Sequence, residues 1–474
     1  MRNDSPLLAE AHSGAAPIWL VASEAWSASD EPAGPTTAGA GIRETARRLG
    51  FAGRAGDLAV VPNRSGEGVE VLFGVDNQAG AMALRALPAL LPGGVYRLAD
   101  DLGNRSAAWG SELVPLAWAL GAYRFDRYRS ELGASPRPLL ATGLGTALPD
   151  VQRVADACAW ARDMINAPAN VMDPPALESE ARAAADRWGA AIRVVRGDAL
   201  LDAGYPLVHA VGRAAGPAAP PRMLEVSWGD PDHPVLAVVG KGVTFDSGGL
   251  DLKPGAGMRL MKKDMGGAAH ALALGQLIVG ARLPVRLVIL IPAVENAVSG
   301  GAYRPGDILR SRAGPTVEIG NTDAEGRLIL ADALARAGEL APRMTIDLAT
   351  LTGAARVALG PQIAPFFTAD DRLAEELLDA GREVEDPLWR MPLWEGYAAA
   401  LDSDVADLKN DPDQWAQAGC VAAALFLRRF APTSGVWAHF DIFAWNPRGR
   451  PGFPVGAEVQ AVRALLRVIQ ARFS

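Results

Sequence analysis

The 474-residue chain contains little lysine, cysteine or histidine. Five lysines stand among 46 basic residues, so arginine supplies nearly all of the positive charge. The two cysteines, Cys158 and Cys420, form no C-x-x-C pair and give no disulfide framework, which is typical of a reducing cytosol. The five histidines are scattered and include no H-E-x-x-H pair, which excludes that class of zinc site.

Other absences exclude further classes of protein. No run of about 18 apolar residues occurs, so no membrane span is predicted. The first residues hold only a brief apolar run with acidic flanks, unlike a secretory signal. A net charge of −8 and a pI of about 5.3 argue against nucleic acid or anionic membranes as partners. We expect a soluble, cytoplasmic protein.

The length and the alternation of apolar patterns favour an α/β protein with two domains. We expect a variable N-terminal α/β domain over residues 1–150. A helical connector at about 148–175 leads into a larger domain, residues 151–474, with a central mixed sheet flanked by helices. In the first domain, strands are predicted at 17–22, 58–62, 69–74 and 138–142, and helices at 78–91 and 107–122.

The larger domain is predicted in more detail. Its strands are expected at 191–196, 206–211, 222–228, 235–239, 285–291, 344–349 and 435–442. Its helices are expected at 176–189, 266–281, 326–340, 370–381, 417–430 and 456–472. Continuous Val/Ile/Leu runs indicate strands buried on both faces, and ligands bind beyond the carboxyl ends of such strands.

Four of the five lysines lie between Lys241 and Lys263, in the sequence KGVTFDSGGLDLKPGAGMRLMKKDM. Arginine is effectively never deprotonated, whereas a lysine amine can lose its proton and then act as a ligand or move protons. Asp246, Asp251 and Asp264 are interleaved with these lysines. Because the segment directly follows the apolar run VLAVVG, it stands where an α/β active site is expected.

A second acidic cluster, GNTDAEGRLILAD, covers residues 320–332. In extended backbone Asp323 and Glu325 would point to the same side. The alternative is that Thr322-x-x-Glu325 is a capping box for the helix 326–340, and taken alone this interpretation is favoured. Capping and ligand binding do not exclude each other. Asp332 is interpreted as a helix residue that faces solvent or pairs with an arginine.

The two clusters together supply four carboxylates, from Asp246, Asp264, Asp323 and Glu325, and the amine of Lys241. Oxygen-rich sites with bridging carboxylates suit two divalent cations about 3.5–4 Å apart. An amine ligand must be unprotonated, and a neighbouring dication favours that form. The residues therefore predict a centre for two metal ions.

Residues 160–445 resemble the catalytic domain of the leucine (cytosol) aminopeptidase family. The resemblance rests on NAPAN, GKGVTFDSGG, LKP, MKKDMGGAA, SGGAYRPGDIL and NTDAEGRLILADAL. It implies a homohexameric enzyme with two divalent metal ions, Mn²⁺ or Zn²⁺, per subunit. Such an enzyme uses a metal-activated water to release N-terminal amino acids from peptides with a free N-terminus. Competing hypotheses are a DNA-binding regulator with the same fold, which the acidic pI disfavours, and a catalytically silent scaffold, which the intact motifs disfavour.

The resemblance also implies roles for individual residues. Lys241, Asp246, Asp264 and Glu325 match the ligands of the tighter metal. Asp246, Asp323 and Glu325 match those of the exchangeable one.

Two further positions match catalytic residues that bind no metal. Lys253 matches the residue that steadies the oxyanion. Arg327 matches the residue that holds a bicarbonate acting as general base. The substrate pocket is expected at Met261, Thr350, Gly353 and Phe443. Asp347 matches a site residue but could equally be a structural polar group at a strand end.

The chain departs from the family pattern after His439-x-Asp441-Ile442. Phe443 and Trp445 replace small residues beside the expected pocket. Added aromatic volume would shrink the pocket, so we hypothesise a preference for small N-terminal side chains such as Ala or Gly. The alternative is that both aromatics pack into the core or a subunit contact. Lys262 and Lys263 are interpreted as ordinary lysines, with Lys262 pairing a carboxylate near the site.

Overall fold

The computed structural model describes residues 8–10, 12–22, 26, 40–63, 65–76, 78–99, 109, 112–130, 136–412 and 414–474. The chain divides into two compact units. The first contains Met1–Ala159 and Arg448–Val455, and the second contains Trp160–Pro447 and Gly456–Ser474. Both units are α/β, as the sequence predicts.

The first unit contains a six-stranded sheet of order β1-β6-β5-β2-β4-β3, in which only the edge strand β3 is antiparallel to its neighbour. Sequence patterns missed the strands Leu8–Ala9 and Gly94–Leu98 and the helix Ala40–Arg48. The strands are β1 (Leu8–Ala9), β2 (Ala16–Ala22), β3 (Leu58–Pro62), β4 (Val69–Val75), β5 (Gly94–Leu98) and β6 (Pro138–Ala141). The helices are α1 (Ala40–Arg48), α2 (Leu87–Leu90), α3 (Leu113–Gly121) and α4 (Leu148–Asn166), with 3₁₀ turns at Ala81–Ala86 and Gly145–Ala147. Helix α4 continues into the second unit.

The second unit is built on a nine-stranded mixed sheet of order β16-β15-β18-β14-β9-β11-β8-β7, with β10 paired to β11. Its strands, together with those of two small accessory sheets, are β7 (Ala191–Arg196), β8 (Arg222–Trp228), β9 (Val235–Gly240), β10 (Gly242–Asp246), β11 (Arg286–Asn296), β12 (Ile308–Arg310), β13 (Thr316–Glu318), β14 (Met344–Ala349), β15 (Ala364–Phe367), β16 (Leu388–Arg390), β17 (Leu408–Lys409), β18 (Val436–Asp441), β19 (Trp445–Asn446) and β20 (Gly456–Ala457).

In the described part of the second unit, ten α-helices follow α4 in the chain. They are α5 (Pro174–Trp188), α6 (Ala199–Asp202), α7 (Pro206–Gly212), α8 (Gly255–Met258), α9 (Gly266–Gly280), α10 (Glu325–Gly338), α11 (Gly353–Leu359), α12 (Asp371–Glu383), α13 (Gly419–Arg428) and α14 (Val462–Phe473). Short 3₁₀ turns cover Met261–Lys263, Glu395–Leu401 and Ala416–Ala418. In the part of the chain that the structure describes, no helix combines the length and apolarity needed to cross a membrane.

The centre of the large sheet positions the predicted site. Strands β11, β9, β14 and β18 are parallel neighbours, so their carboxyl ends share one edge. Their side chains are almost entirely buried, because α9 packs against β9 and β14 while α10 packs against β9 and β11. Lys241, Thr350 and Ile442 directly follow β9, β14 and β18, so these positions meet at that edge.

The predicted strand at 206–211 is wrong, because these residues form helix α7. Pro206 stands in its first turn, where a missing N–H costs nothing. The next two N–H groups, of Leu207 and Val208, donate to Asp332 Oδ2 at 2.8 and 3.3 Å. A buried carboxylate from a distant part of the chain thus caps this helix. The apolar pattern of residues 206–211 could not indicate that contact.

The interpretation of Asp332 as a solvent-facing or arginine-paired residue is also wrong. Its side chain is fully buried, and its second oxygen, Oδ1, accepts from the backbone N–H of Arg312 at 2.8 Å. Burial raises the pKa of Asp332 to about 7, against the opposing effect of its three backbone donors. Asp332 is a structural acceptor inside the core.

The capping-box interpretation of Thr322 is not what the structure shows. Helix α10 begins at Glu325, and no side chain caps its first turn. Thr322 Oγ1 instead donates to Gly248 O at 2.6 Å and accepts from Asp251 N at 2.9 Å. Thr322 therefore joins the two loops that carry the acidic clusters.

Candidate metal centre and substrate pocket

Lys241 lies at the centre of the first group of predicted ligands. Its side chain is 3% exposed, and Nζ lies 2.6 Å from Asp264 Oδ2 and 2.9 Å from Glu325 Oε1. Burial alone would lower the pKa of this amine, but the carboxylates of Asp264 and Glu325 outweigh burial and raise it. Without a metal ion, Lys241 is therefore an ammonium.

Two glycines, Gly326 and Gly267, allow the close packing around Lys241. A Cβ on Gly326 would lie 2.5 Å from Lys241 Cε, so any side chain there would displace the lysine. A Cβ on Gly267 would lie 2.0 Å from Leu348 O, so the first turn of α9 can pack directly against β14. The glycines of DAEGR and MGGAA are therefore required by close packing around the centre.

Lys253 forms ion pairs with two carboxylates, those of Asp246 and Asp323. Its Nζ lies 2.8 Å from Asp246 Oδ2 and also contacts Asp323 Oδ1. Burial would lower its pKa, but Asp246 and Asp323 outweigh burial and raise it. Its side chain is 16% exposed, more than that of Lys241, so it can approach a molecule in the pocket while remaining charged.

The carboxylates of Asp246, Asp323 and Glu325 converge, with one oxygen of each within 4.8 Å of the others. Burial, reinforced by the nearby Asp246, raises the pKa of Asp323 to about 6 and that of Glu325 to about 8. Among the described residues, Glu325 Oε2 is buried and accepts no hydrogen bond. Crowded carboxylates with an unsatisfied buried oxygen fit divalent cations, which would supply the missing positive charge.

Two polar residues for which no positioning role was predicted orient this cluster. Asn296, fully buried at the end of β11, donates from Nδ2 to Asp246 Oδ1 at 2.8 Å. Thr350 Oγ1 donates to Asp264 Oδ1 at 2.8 Å. An asparagine that ends the long apolar run RLVILIPAVEN was the available signal, because polar residues at the carboxyl end of a buried strand face a ligand site.

Arg327 follows Glu325 by two residues on α10 and is 7% exposed. Its Nη1 donates to Asn410 O at 2.6 Å, while Nε is buried without a hydrogen-bond partner among the described residues. Burial lowers its pKa, but a guanidinium keeps its charge. Arg327 therefore lines the cavity and keeps one buried donor without a partner among the described residues.

The predicted site residues surround a cavity of about 500 Å³. The four predicted side-chain pocket residues, Met261, Thr350, Gly353 and Phe443, all line it. The lining also includes most of the predicted ligands and both predicted catalytic residues: Lys241, Asp246, Lys253, Asp264, Asp323 and Arg327.

The structure bears on two sequence-based alternatives at this edge. Trp445 is not among the residues that line the cavity, although Phe443 is. Asp347 is fully buried and accepts hydrogen bonds from Trp437 Nε1 at 2.7 Å and His439 Nδ1 at 2.5 Å, so it is a structural polar group.

The interpretation of the two adjacent lysines needs correction. Lys262 donates to Asn166 O at 2.6 Å and does not pair a carboxylate of the site. Lys263 is not an ordinary lysine, because it is 5% exposed, lines the cavity and lies 3.9 Å from Asp264 Oδ1. Burial lowers its pKa to about 8.

Comparisons with known proteins agree with this geometry. The profile of the cytosol aminopeptidase family, catalytic domain, matches residues 159–466, and that of the M17 aminopeptidase N-terminal domain matches residues 24–138. The chain belongs to the cytosol aminopeptidase family. It is thus a metal-dependent aminopeptidase, a peptide hydrolase.

Individual relatives cover most of the chain. A probable cytosol aminopeptidase of Syntrophotalea carbinolica is 44% identical over 367 residues, which are 74% of this chain and 73% of that protein. The crystal structure of cytosol aminopeptidase from Coxiella burnetii is 40% identical with a TM-score of 0.90, over 98% of this chain and 99% of that one. The bottromycin maturation enzyme BotP, in complex with Mn, is 35% identical with a TM-score of 0.85, over 98% of this chain and 100% of that one.

Proposed function

We propose that this aminopeptidase releases N-terminal amino acids from peptides with the help of two divalent ions. The ligands would be Lys241, Asp246, Asp264, Asp323 and Glu325, with Asp246 and Glu325 shared. The converging carboxylates and the unsatisfied oxygen of Glu325 carry this proposal. Mn²⁺ or Zn²⁺ would suit the donor set, and the relative BotP in complex with Mn supports the first.

When bound, the ions would polarise the scissile carbonyl and lower the pKa of a bound water. The ammonium of Lys253 would stabilise negative charge on the carbonyl oxygen, because it lies beside Asp246 and Asp323 and remains partly exposed to the cavity. Lys241 would need to lose its proton to become a ligand, and adjacent cations favour that loss.

Arg327 is proposed to hold a small anion, bicarbonate, that serves as general base. The buried and unpartnered Nε supports this role, since a guanidinium can donate to a planar oxyanion from more than one nitrogen. The bond from Nη1 to Asn410 O fixes the orientation of the side chain.

The resemblance to the family supports a homohexamer that acts in the cytoplasm. Light scattering on the purified protein measures the assembly directly. A stable particle of 49.6 kDa, the mass of one chain, would contradict the hexamer.

Purified protein loaded with Mn²⁺ or Zn²⁺ tests the reaction. Binding of the free α-amine at the acidic cluster predicts that unblocked dipeptides such as Ala-Gly and Leu-Gly release free amino acids, whereas their N-acetylated forms do not. Amine-reactive or chromatographic detection of the products measures both. Equal cleavage of blocked and unblocked peptides contradicts exopeptidase action.

Variants of the two residues that are not metal ligands separate chemistry from metal binding. Lys253→Ala and Arg327→Ala should each retain two metal ions per subunit by elemental analysis. Each should lose most of the turnover, on the order of a hundredfold or more, which is typical when one transition-state donor is removed. Full turnover in both variants would remove these residues from the reaction.

A further inference from the structure

One part of the cavity wall is formed by an aromatic ring with two cations beside it. Phe443 follows β18, and Lys263 Nζ and Arg356 Cζ each lie 5.1 Å from the centroid of its ring. All three residues line the cavity. Such distances are within the range of cation–π contacts, which hold both charges beside the ring.

Neither cation has a carboxylate of its own. In the part of the chain that the structure describes, Arg356 is exposed and no ion pair joins it to an acidic group. Lys263 lies 3.9 Å from Asp264 Oδ1, but that carboxylate already accepts from Lys241 at 2.6 Å and from Thr350 at 2.8 Å. Two positive charges therefore face the cavity without full compensation.

The positions of these groups leave room for a substrate side chain. Arg356 stands three residues after Gly353 on α11, so both lie on the same face of that helix. A Cβ built on Gly353 would meet nothing within 4 Å, so the space in front of this face is open. A side chain entering between Gly353 and Phe443 would bring its end towards the guanidinium.

We propose that this pocket selects peptides whose N-terminal residue is acidic, with the Glu or Asp carboxylate bound by Arg356 and Lys263. The inference rests on the proposed function, which puts the substrate α-amine and scissile carbonyl at the acidic cluster. A guanidinium binds a carboxylate through two parallel hydrogen bonds, and a partly enclosed site strengthens them. The ring of Phe443 limits bulky apolar side chains, whereas the flanking charges attract a carboxylate.

Isosteric substrates measure the charge preference without a change of shape. The kcat/KM for glutamyl p-nitroanilide should be about five to ten times that for glutaminyl p-nitroanilide in the metal-loaded enzyme. Arg356→Gln should bring this ratio close to one, and Arg356→Lys should retain part of it. Arg372→Gln is the matched control, because that arginine is 87% exposed on α12 and does not line the cavity, so the ratio should not change.

A wild-type ratio at or below one, or a ratio unaffected by Arg356→Gln, overturns the proposal. Turnover of alanyl p-nitroanilide tests the proposed function separately. If the enzyme cleaves that substrate but prefers the glutaminyl over the glutamyl substrate, the acidic selectivity is wrong and the aminopeptidase function stands. Calorimetry supplies a second readout, which does not depend on turnover. L-glutamate should bind more tightly than L-glutamine, and Arg356→Gln should remove the difference, whereas equal binding to the wild type would count against the pocket.

Discussion

Glu325 and Asp332 lie two turns apart on the same face of helix α10, and both carboxylates are buried. Asp332 accepts three backbone hydrogen bonds, which use both of its oxygens. Glu325 lies among Asp246, Asp264 and Lys241, and its Oε2 has no donor among the described residues. A buried carboxylate with satisfied oxygens holds the fold together, whereas one with a free oxygen can accept a ligand.

The largest expected effect comes from Glu325→Gln. This isosteric change removes a charge from both proposed metal sets, so turnover should fall by roughly a hundredfold to a thousandfold, since a bound ion supplies several kcal/mol of charge stabilisation. Elemental analysis should show metal content reduced along with activity. Full metal occupancy with normal turnover would contradict the assignment of Glu325 as a ligand.

The stability of the metal-free variant should not fall. Burial raises the pKa of Glu325 to about 8, above its value in the unfolded chain, so ionisation with rising pH weakens the folded state. A neutral amide avoids that cost. Thermal unfolding of both metal-free proteins at pH 8 to 9 should therefore give an equal or higher midpoint for Glu325→Gln.

The same comparison applies to His270, a buried imidazole in which both ring nitrogens have a hydrogen-bond partner. Nδ1 donates to Gly266 O at 2.6 Å and Nε2 accepts from Gln460 N at 3.0 Å, so only the neutral ring fits. Burial lowers the pKa of His270 to about 4, against the opposing effect of the Gly266 carbonyl.

This shift gives a definite pH dependence. The stabilising contribution is complete above pH 6.5 and is lost as the pH falls from 6.5 towards 4, because only the unfolded chain takes up the proton. The loss should be on the order of 3 kcal/mol. Urea unfolding of wild type and His270→Gln across this range measures it. A constant difference between the two proteins would show that His270 does not titrate in this way.

The smallest of these effects is expected for Asp332→Asn. The amide offers one oxygen where the backbone donors need two, so the free energy of unfolding should decrease by about 1–3 kcal/mol. Metal content and turnover per folded molecule should stay unchanged, in contrast to Glu325→Gln. Denaturant unfolding combined with metal analysis makes the distinction, and loss of bound metal with normal stability would reverse the roles of the two residues.

Local patterns predicted the longer strands and helices of the second unit, because those strands are long apolar runs and those helices have clear periodicity. They missed shorter elements such as β10, β15 and α11. The failure at 206–211 has a physical cause. A short apolar run suits a strand or a helix equally, and Asp332, more than 100 residues later, supplies the acceptor that decides for the helix.

The fold brings the predicted ligands together, as the sequence indicates. The motifs that carry them stand at the ends of strands and helices, and these ends share one edge of the sheet. The residues that were missed act through distant contacts. Lys263 is buried in the cavity wall because it lies against Phe443 and Asp264. The sequence around Lys263 does not indicate the contact with Phe443, which lies far away along the chain. Thr322 matched a capping box, but its hydroxyl bonds to a loop more than 70 residues earlier.

That bond from Thr322 has a consequence for protein engineering. Thr322 joins Gly248 and Asp251 through its hydroxyl, and its backbone N–H donates to Asp251 Oδ2 at 2.7 Å. The loop between Asp246 and Lys253 and the loop that carries Asp323 thus share one set of hydrogen bonds. A chimera that exchanges either loop alone would leave the other without its acceptors, so the two must be grafted together.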